Sequence, residues 1–236
     1  MKKILTLAMM AAFAMVSSAS AGIVLLNETF DSSAGFTTST PFFSDGGGDF
    51  FGISGSAADF GGGATPGVPA FTGFNDNFLT GEDLDGEGAT LPITVTWSSI
   101  NIAGQTGLTF SGDFAEFFNA PGDIDPTDLL FVEAQIDGGG FAPILQFTPG
   151  SFSSTVNGVF ELGTATLGDA AQNFSASIPG TGSTLDLRLT VSVNAGDEDF
   201  AVDNFLVTAD SAAVPEPSSI ALLGLVGLAG VVRRRK

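Results

Sequence analysis

The sequence predicts an all-β chain: one β-sandwich set between two export signals. Three observations carry that expectation. No internal window shows sustained helical periodicity. Short apolar or alternating runs recur instead, separated by Gly, Pro, Asp, Asn and Ser. About 190 residues lie between the two ends, enough for a single domain with a sizeable core.

The runs fall in order at residues 23–30, 93–102, 108–114, 129–136, 144–147, 159–162, 173–178, 185–193 and 200–208. The clearest is 185–193, where Leu185, Leu187, Leu189, Val191 and Val193 alternate with Asp186, Arg188, Thr190 and Ser192. That is period two, a strand with one buried face. In 93–102 the alternation of Val95 and Trp97 slips at Ser98 and Ser99 before Ile100, which predicts a bulge. Residues 35–90 are Gly-rich, dotted with Phe and weakly periodic; they read as long loops over one end of the sandwich or as a mobile lobe.

The ends have a different grammar. Lys2 and Lys3 open the chain, residues 4–16 are apolar and uncharged, and Ala19, Ser20 and Ala21 form a small-x-small site. Residues 1–21 therefore read as a secretory signal helix, cut by signal peptidase before Gly22. At the other end, Val214, Pro215, Glu216 and Pro217 form a stiff non-helical turn, because each Pro fixes φ and biases its predecessor toward extended backbone. An uncharged stretch over 220–232 follows, interrupted by Gly224, Gly227 and Gly230, and then Arg233, Arg234, Arg235 and Lys236. As a helix that stretch measures about 20 Å, against about 30 Å of hydrocarbon, so the predicted transmembrane helix is short. Snorkelling arginine stems extend its reach, and the basic cluster stays cytoplasmic by the positive-inside rule. The expected division is 1–21 signal peptide, 22–210 ectodomain and 211–236 sorting segment.

The Pro-Glu-Pro triplet, the Gly-broken apolar segment and the terminal Arg cluster together resemble the PEP-CTERM sorting signal of exported bacterial proteins. That resemblance implies handling by an exosortase, an integral-membrane cysteine transpeptidase or protease that cuts near the triplet. It further implies a transient inner-membrane anchor and then the cell surface or an exopolysaccharide matrix. It implies nothing about the fold or ligand of the ectodomain.

Charge narrows the chemistry. The formal net charge is −19, yet residues 22–214 hold 25 acidic residues and one basic one, Arg188, for a net of −24. The chain has no His, Cys or Tyr, and the body has no Lys. Histidine-assisted nucleophiles, Lys Schiff bases, His/Cys zinc sites and disulfides are all excluded. So acidic a body repels phosphate backbones, which argues against nucleic acid as a partner. Only oxygen ligands are plentiful, so calcium is the expected cofactor. The expected ligands are Glu28, Asp31 and Asp203 from the terminal strands, with Asp49 from the glycine loop beside it.

Other acidic groups read as solvated turns. Asp83, Asp85 and Glu87, with Gly88 after them, copy the spacing at the start of an EF-hand loop, but Thr94 stands at its twelfth position and no helices flank it. Asp123, Asp125 and Asp128 surround Pro126, and Asp197, Glu198 and Asp199 follow Gly196, where turn geometry alone favours Asp and Gly. Trp97 sits mid-strand and reads as core. In the pairs Phe42–Phe43, Phe50–Phe51 and Phe117–Phe118, alternation leaves one ring of each exposed, an adhesive patch, unless the Gly-rich loops fold over them.

The body also resembles, weakly, jelly-roll modules of the carbohydrate-binding and MAM-like kind. Asn27, Glu28, Thr29, Phe30 and Asp31 match their acidic first strand, and Asp199 to Phe205 their last strand with an Asp-Asn pair, here Asp203 and Asn204. The resemblance implies that first and last strands lie side by side and share a structural calcium. The expected function is a non-enzymatic exported protein with a structural or adhesive role in envelope or exopolysaccharide. The alternative is a carbohydrate-binding or carbohydrate-active module on the same signal.

Overall fold

The computed structural model describes residues 22–117, 124–150 and 158–210. Fourteen strands form there: β1 (Ile23–Glu28), β2 (Thr37–Thr38), β3 (Phe43–Ser44), β4 (Phe50–Ile53), β5 (Leu79–Glu82), β6 (Ile93–Asn101), β7 (Thr106–Ala115), β8 (Leu129–Ile136), β9 (Ala142–Pro149), β10 (Phe160–Leu162), β11 (Ala165–Thr166), β12 (Gln172–Ser177), β13 (Thr184–Ser192) and β14 (Asp199–Asp210). They build two antiparallel sheets packed as a sandwich. One runs β12-β7-β14-β5-β4-β3, with β1 also on β14; the other runs β11-β10-β9-β8-β13-β6-β2. The all-β expectation holds.

β14 is the spine of the first sheet. β7 lies along one side of it. On its other side, β5 pairs with residues 199–202 and β1 with residues 205–209. First and last strands are therefore neighbours, as the jelly-roll likeness implied. β14 also changes phase midway: Phe200 and Val202 face the core, then Phe205, Val207 and Ala209 do. Asn204, at φ 53°, absorbs the extra residue where the register with β7 shifts between Asp203 and Leu206.

The predicted bulge in β6 is present. Leu187 pairs with Trp97 and Leu185 with Ile100, so Ser98 and Ser99 together face Asp186. Ser99 has φ 60°, and its N–H donates to Asp186 Oδ1 at 2.7 Å. The bulge keeps Trp97 and Ile100 on the buried face.

The Gly-rich segment differs from the expectation. Rather than looping over one end, it builds the edges of both sheets through β2, β3, β4 and β5. All four residues of β4 and of β5 are buried, so neither strand shows the alternation by which a strand is recognised. A short 3-10 helix, Ala57–Phe60, lays Phe60 against Phe50 at 5.8 Å between ring centroids. Gly52 makes room for it: a Cβ there would meet the Phe60 ring at 2.5 Å.

Aromatic side chains join the sheets. Trp97 of β6 packs on Phe205 of β14 at 5.4 Å, and Phe114 of β7 on Phe147 of β9 at 5.0 Å. Phe30 and Phe36 complete the layer around Trp97 at 6.0 and 5.6 Å. Among the described residues no helix is long and apolar enough to cross a membrane. The predicted signal and transmembrane helices, Ala19 and Ala21, Val214 to Pro217 and Arg233 to Lys236 lie outside the described residues.

Candidate functional site: an acidic end of the sandwich

The turns at one end of the sandwich gather most of the unusual carboxyls. Pairing fixes their place: Glu82 at the end of β5 faces Asp199 at the start of β14, and Leu129 at the start of β8 faces Ser192 at the end of β13. The turns entering and leaving these strands therefore share an end, and Leu84 N–H donates to Val193 O at 2.9 Å between two of them.

Two groups of three carboxyls converge here, each with oxygens within 4.8 Å of one another: Asp45 with Asp49 and Glu87, and Asp125 with Asp128 and Glu198. In the first group Asp45 and Glu87 are exposed. Beside it lies Glu82, whose carboxyl is pushed up to about 9 by burial and then by the charges of Asp199, Asp49 and Asp83. Burial and the neighbouring Asp49 push Asp83 up to about 6. Gly46 to Gly48 cover Glu82: a Cβ on Gly48 would meet its Oε1 at 2.6 Å.

The second group is the more buried, with Asp128 and Glu198 buried and Asp125 partly so, which corrects the reading of these residues as solvated turns. Asp125 and Asp128 bracket a β-turn in which Asp128 N–H donates to Asp125 O at 3.1 Å. Asp125 Oδ1 accepts the Thr127 N–H at 2.6 Å and its hydroxyl at 2.7 Å. Asp128 Oδ2 accepts the Asp125 N–H at 2.5 Å. Glu198 arrives from the β13–β14 turn, where its Oε2 accepts the N–H groups of Asn194 and Ala195 at 2.5 and 2.9 Å. Asn194 Nδ2 ties the turns together by donating to Thr127 Oγ1 at 3.3 Å. Asp128 is fully buried and Glu198 nearly so. Burial pushes Asp128 up to about 8; the Asp125 N–H opposes that shift, and the charges of Glu198 and Asp125 add to it. Burial likewise raises Glu198. Asp123 lies outside the described residues.

The four residues expected to share a calcium do not converge. Glu28 Oε1 accepts the Phe30 N–H at 2.8 Å, and its Oε2 accepts the Trp97 indole N–H at 3.0 Å. Asp203 accepts from the backbone and side chain of Asn204 at 2.6 and 3.1 Å. Burial pushes Asp203 up to about 6, against the Asn204 N–H and with the charges of Asp113, Asp31 and Asp76. Asp31, which accepts the Thr29 hydroxyl at 2.8 Å, thus stands with Asp203, while Asp49 belongs to the acidic end. Sequence reasoning missed Glu198 as a partner of Asp125 and Asp128, because 70 residues separate Asp128 from Glu198. The available signal was an acid in each of two turns flanking strands that pair.

The Phe pairs are mostly covered. Phe50 and Phe51 are both buried, Phe51 under Phe42 and Phe43 at 5.1 and 6.4 Å. Phe71, Phe74, Phe78 and Phe117 make a separate half-buried group, with Phe74 stacked on Phe78 at 4.7 Å. Phe118 lies outside the described residues. A pocket of about 310 Å³ beside β2 is lined by Ser33, Phe36, Thr37, Thr38 and Phe42, none of them ionisable. On the outward face of the second sheet, Arg188 Nε donates to Glu133 Oε2 at 2.9 Å, and its guanidinium lies 3.9 Å over the Phe141 ring centroid. Thr190 donates to the same carboxylate oxygen at 2.6 Å.

Several solved structures are similar to this chain. The xylan-binding domain CBM22-1 of Paenibacillus barcinonensis Xyn10C shares 15% identity at a TM-score of 0.42, covering 83% of this chain and 100% of that one. The K3 cleaved adhesin domain of Lys-gingipain from Porphyromonas gingivalis shares 14% at 0.44, covering 80% and 99%. The family 11 carbohydrate-binding module of Clostridium thermocellum Lic26A-Cel5E shares 11% at 0.38, covering 84% and 100%. No curated protein matches the sequence. The C-terminus is specific where the sandwich is not: residues 213–236 match the PEP-CTERM protein-sorting motif, so this chain ends in a sorting segment of that class.

Proposed function

We infer that the chain is an exported protein that an exosortase-like membrane enzyme processes and passes to the cell surface or extracellular matrix. Signal peptidase removes residues 1–21, and the inner membrane holds the tail transiently. The sandwich then serves a structural or adhesive role in the envelope or in exopolysaccharide, without catalysis. The observation that carries this reading is the sorting motif at 213–236, which begins directly after β14 ends at Asp210. Mass spectrometry of the mature protein is the test. Cells with the processing enzyme are expected to yield a new C-terminus between residues 215 and 218, and cells without it an intact tail. An intact Arg-rich tail on surface-released protein overturns the reading.

A second reading, carbohydrate binding, is favoured by one observation. The body's single cation, Arg188, is held by Glu133 and lies over Phe141 on the outward face of a sheet. A fixed donor beside an aromatic ring is the pairing that orients a sugar's hydroxyls and its apolar face. Saturable binding of one glycan class on an array, lost in Arg188→Ala, would replace the purely structural reading. Turnover of a polysaccharide that is lost on replacing one carboxylate would refute the non-enzyme assignment.

A further inference from the structure

We propose that Asp125, Asp128 and Glu198 form a calcium site that clamps the turn before β8 to the turn between β13 and β14. Two independent observations support it. The first is convergence: three carboxyls from two turns, distant in sequence, place oxygens within 4.8 Å of one another. The second is an orphan. No N–H or hydroxyl of the described residues reaches the buried Asp128 Oδ1, and the carboxyl lies against that of Glu198, where only a shared proton or a cation can join the two, while its Oδ2 accepts the Asp125 N–H. Buried polar atoms without partners are rare in folded proteins, and a buried carboxylate oxygen facing other carboxylates calls for a positive partner.

The described residues offer no such partner. The one body cation, Arg188, is committed to Glu133 on the outward sheet face. The positive charge must therefore come from outside, as a proton on Asp128 or as a metal ion. Three carboxylates supply a hard, all-oxygen set suited to calcium, which takes six to eight oxygens and tolerates irregular geometry. The backbone prepares these ligands: Thr127 holds one oxygen of Asp125, and the Asn194 and Ala195 N–H groups hold one oxygen of Glu198. The Asp45, Asp49 and Glu87 group lacks any comparable buried orphan and serves as the internal control.

The experiment is thermal unfolding of the purified full-length chain in mild detergent, in chelator and then in calcium. Wild type is expected to melt roughly 5–10 °C higher at a calcium concentration 100-fold above Kd. Asp128→Asn mimics the neutral acid, so it is expected to melt near wild type in chelator yet lose the calcium shift. Glu198→Gln is expected to lose the shift as well, which keeps the test valid if Asp128→Asn fails to fold. Asp49→Asn is expected to keep it, and magnesium to give a smaller shift than calcium. No shift in wild type, a shift retained in both Asp128→Asn and Glu198→Gln, a shift lost in Asp49→Asn, or a magnesium shift equal to that of calcium would each overturn the proposal.

Discussion

Glu28 and Trp97 are bonded across the interior: the indole N–H of Trp97 donates to Glu28 Oε2 at 3.0 Å, linking β1 of one sheet to β6 of the other. The residue pair is 69 positions apart, and the same carboxyl also caps the Phe30 N–H. An acid expected to hold metal thus acts as an internal cross-brace. Trp97→Phe removes the donor and part of the core volume, and is expected to cost about 2–4 kcal/mol. Glu28→Gln keeps one acceptor but turns its NH2 toward one of the two N–H donors, of Phe30 or Trp97, and is expected to cost about 1–3 kcal/mol. Chemical denaturation midpoints at constant slope check both values.

The β6 bulge rests on Asp186, whose Oδ1 takes the N–H of Ser99 in its left-handed conformation. Asp186→Ala strands that N–H and is expected to destabilise by about 1–2 kcal/mol. Ser99→Gly removes the Cβ penalty at φ 60° and is expected to be neutral or slightly stabilising. Opposite signs in the two variants, read by thermal melts, identify the bulge as the cause.

In chelator, the buried carboxyls set the pH dependence. Asp128 is raised to about 8 and Glu82 to about 9, so the folded chain holds protons that the unfolded chain has already released. Stability is then greatest below the unfolded values near 4 and falls as pH rises toward 8–9. Metal-free protein is expected to melt higher at pH 5 than at pH 8, by calorimetry at fixed ionic strength. Asp128→Asn is expected to flatten part of that slope.

Gly52→Ala tests how the Gly-rich segment is held. The new methyl would sit 2.6 Å from the Asp59 carbonyl oxygen as well as against Phe60, so backbone must move. A loss of about 1–3 kcal/mol is expected, with near-UV circular dichroism reporting the displaced Phe50–Phe60 pair. A variant indistinguishable from wild type would show that residues 57–60 do not pack on β4.

What was legible in the sequence follows from geometry. β13 and β8 each bury one face, so their alternation is visible; residues 129–136 match β8 end to end. β4 and β5 bury both faces, and the residues that cover them lie in glycine loops, so no period betrays them. The sorting segment was legible because its parts are contiguous. The acidic end was not, since Asp128 and Glu198 meet only once β8 and β13 have paired. Turn chemistry explained each acid locally and concealed their convergence.

The position of β14 also sets an order of events. This strand touches β7, β5 and β1, yet it is the last of the described strands. A polypeptide threaded out N-terminus first holds an unfinished sheet, with the edges of β5 and β1 open, until residue 210 arrives. Three residues later the sorting motif begins. Completion of the domain and presentation of the tail are thus nearly simultaneous, and a pause at the tail is the interval in which the sheet can close.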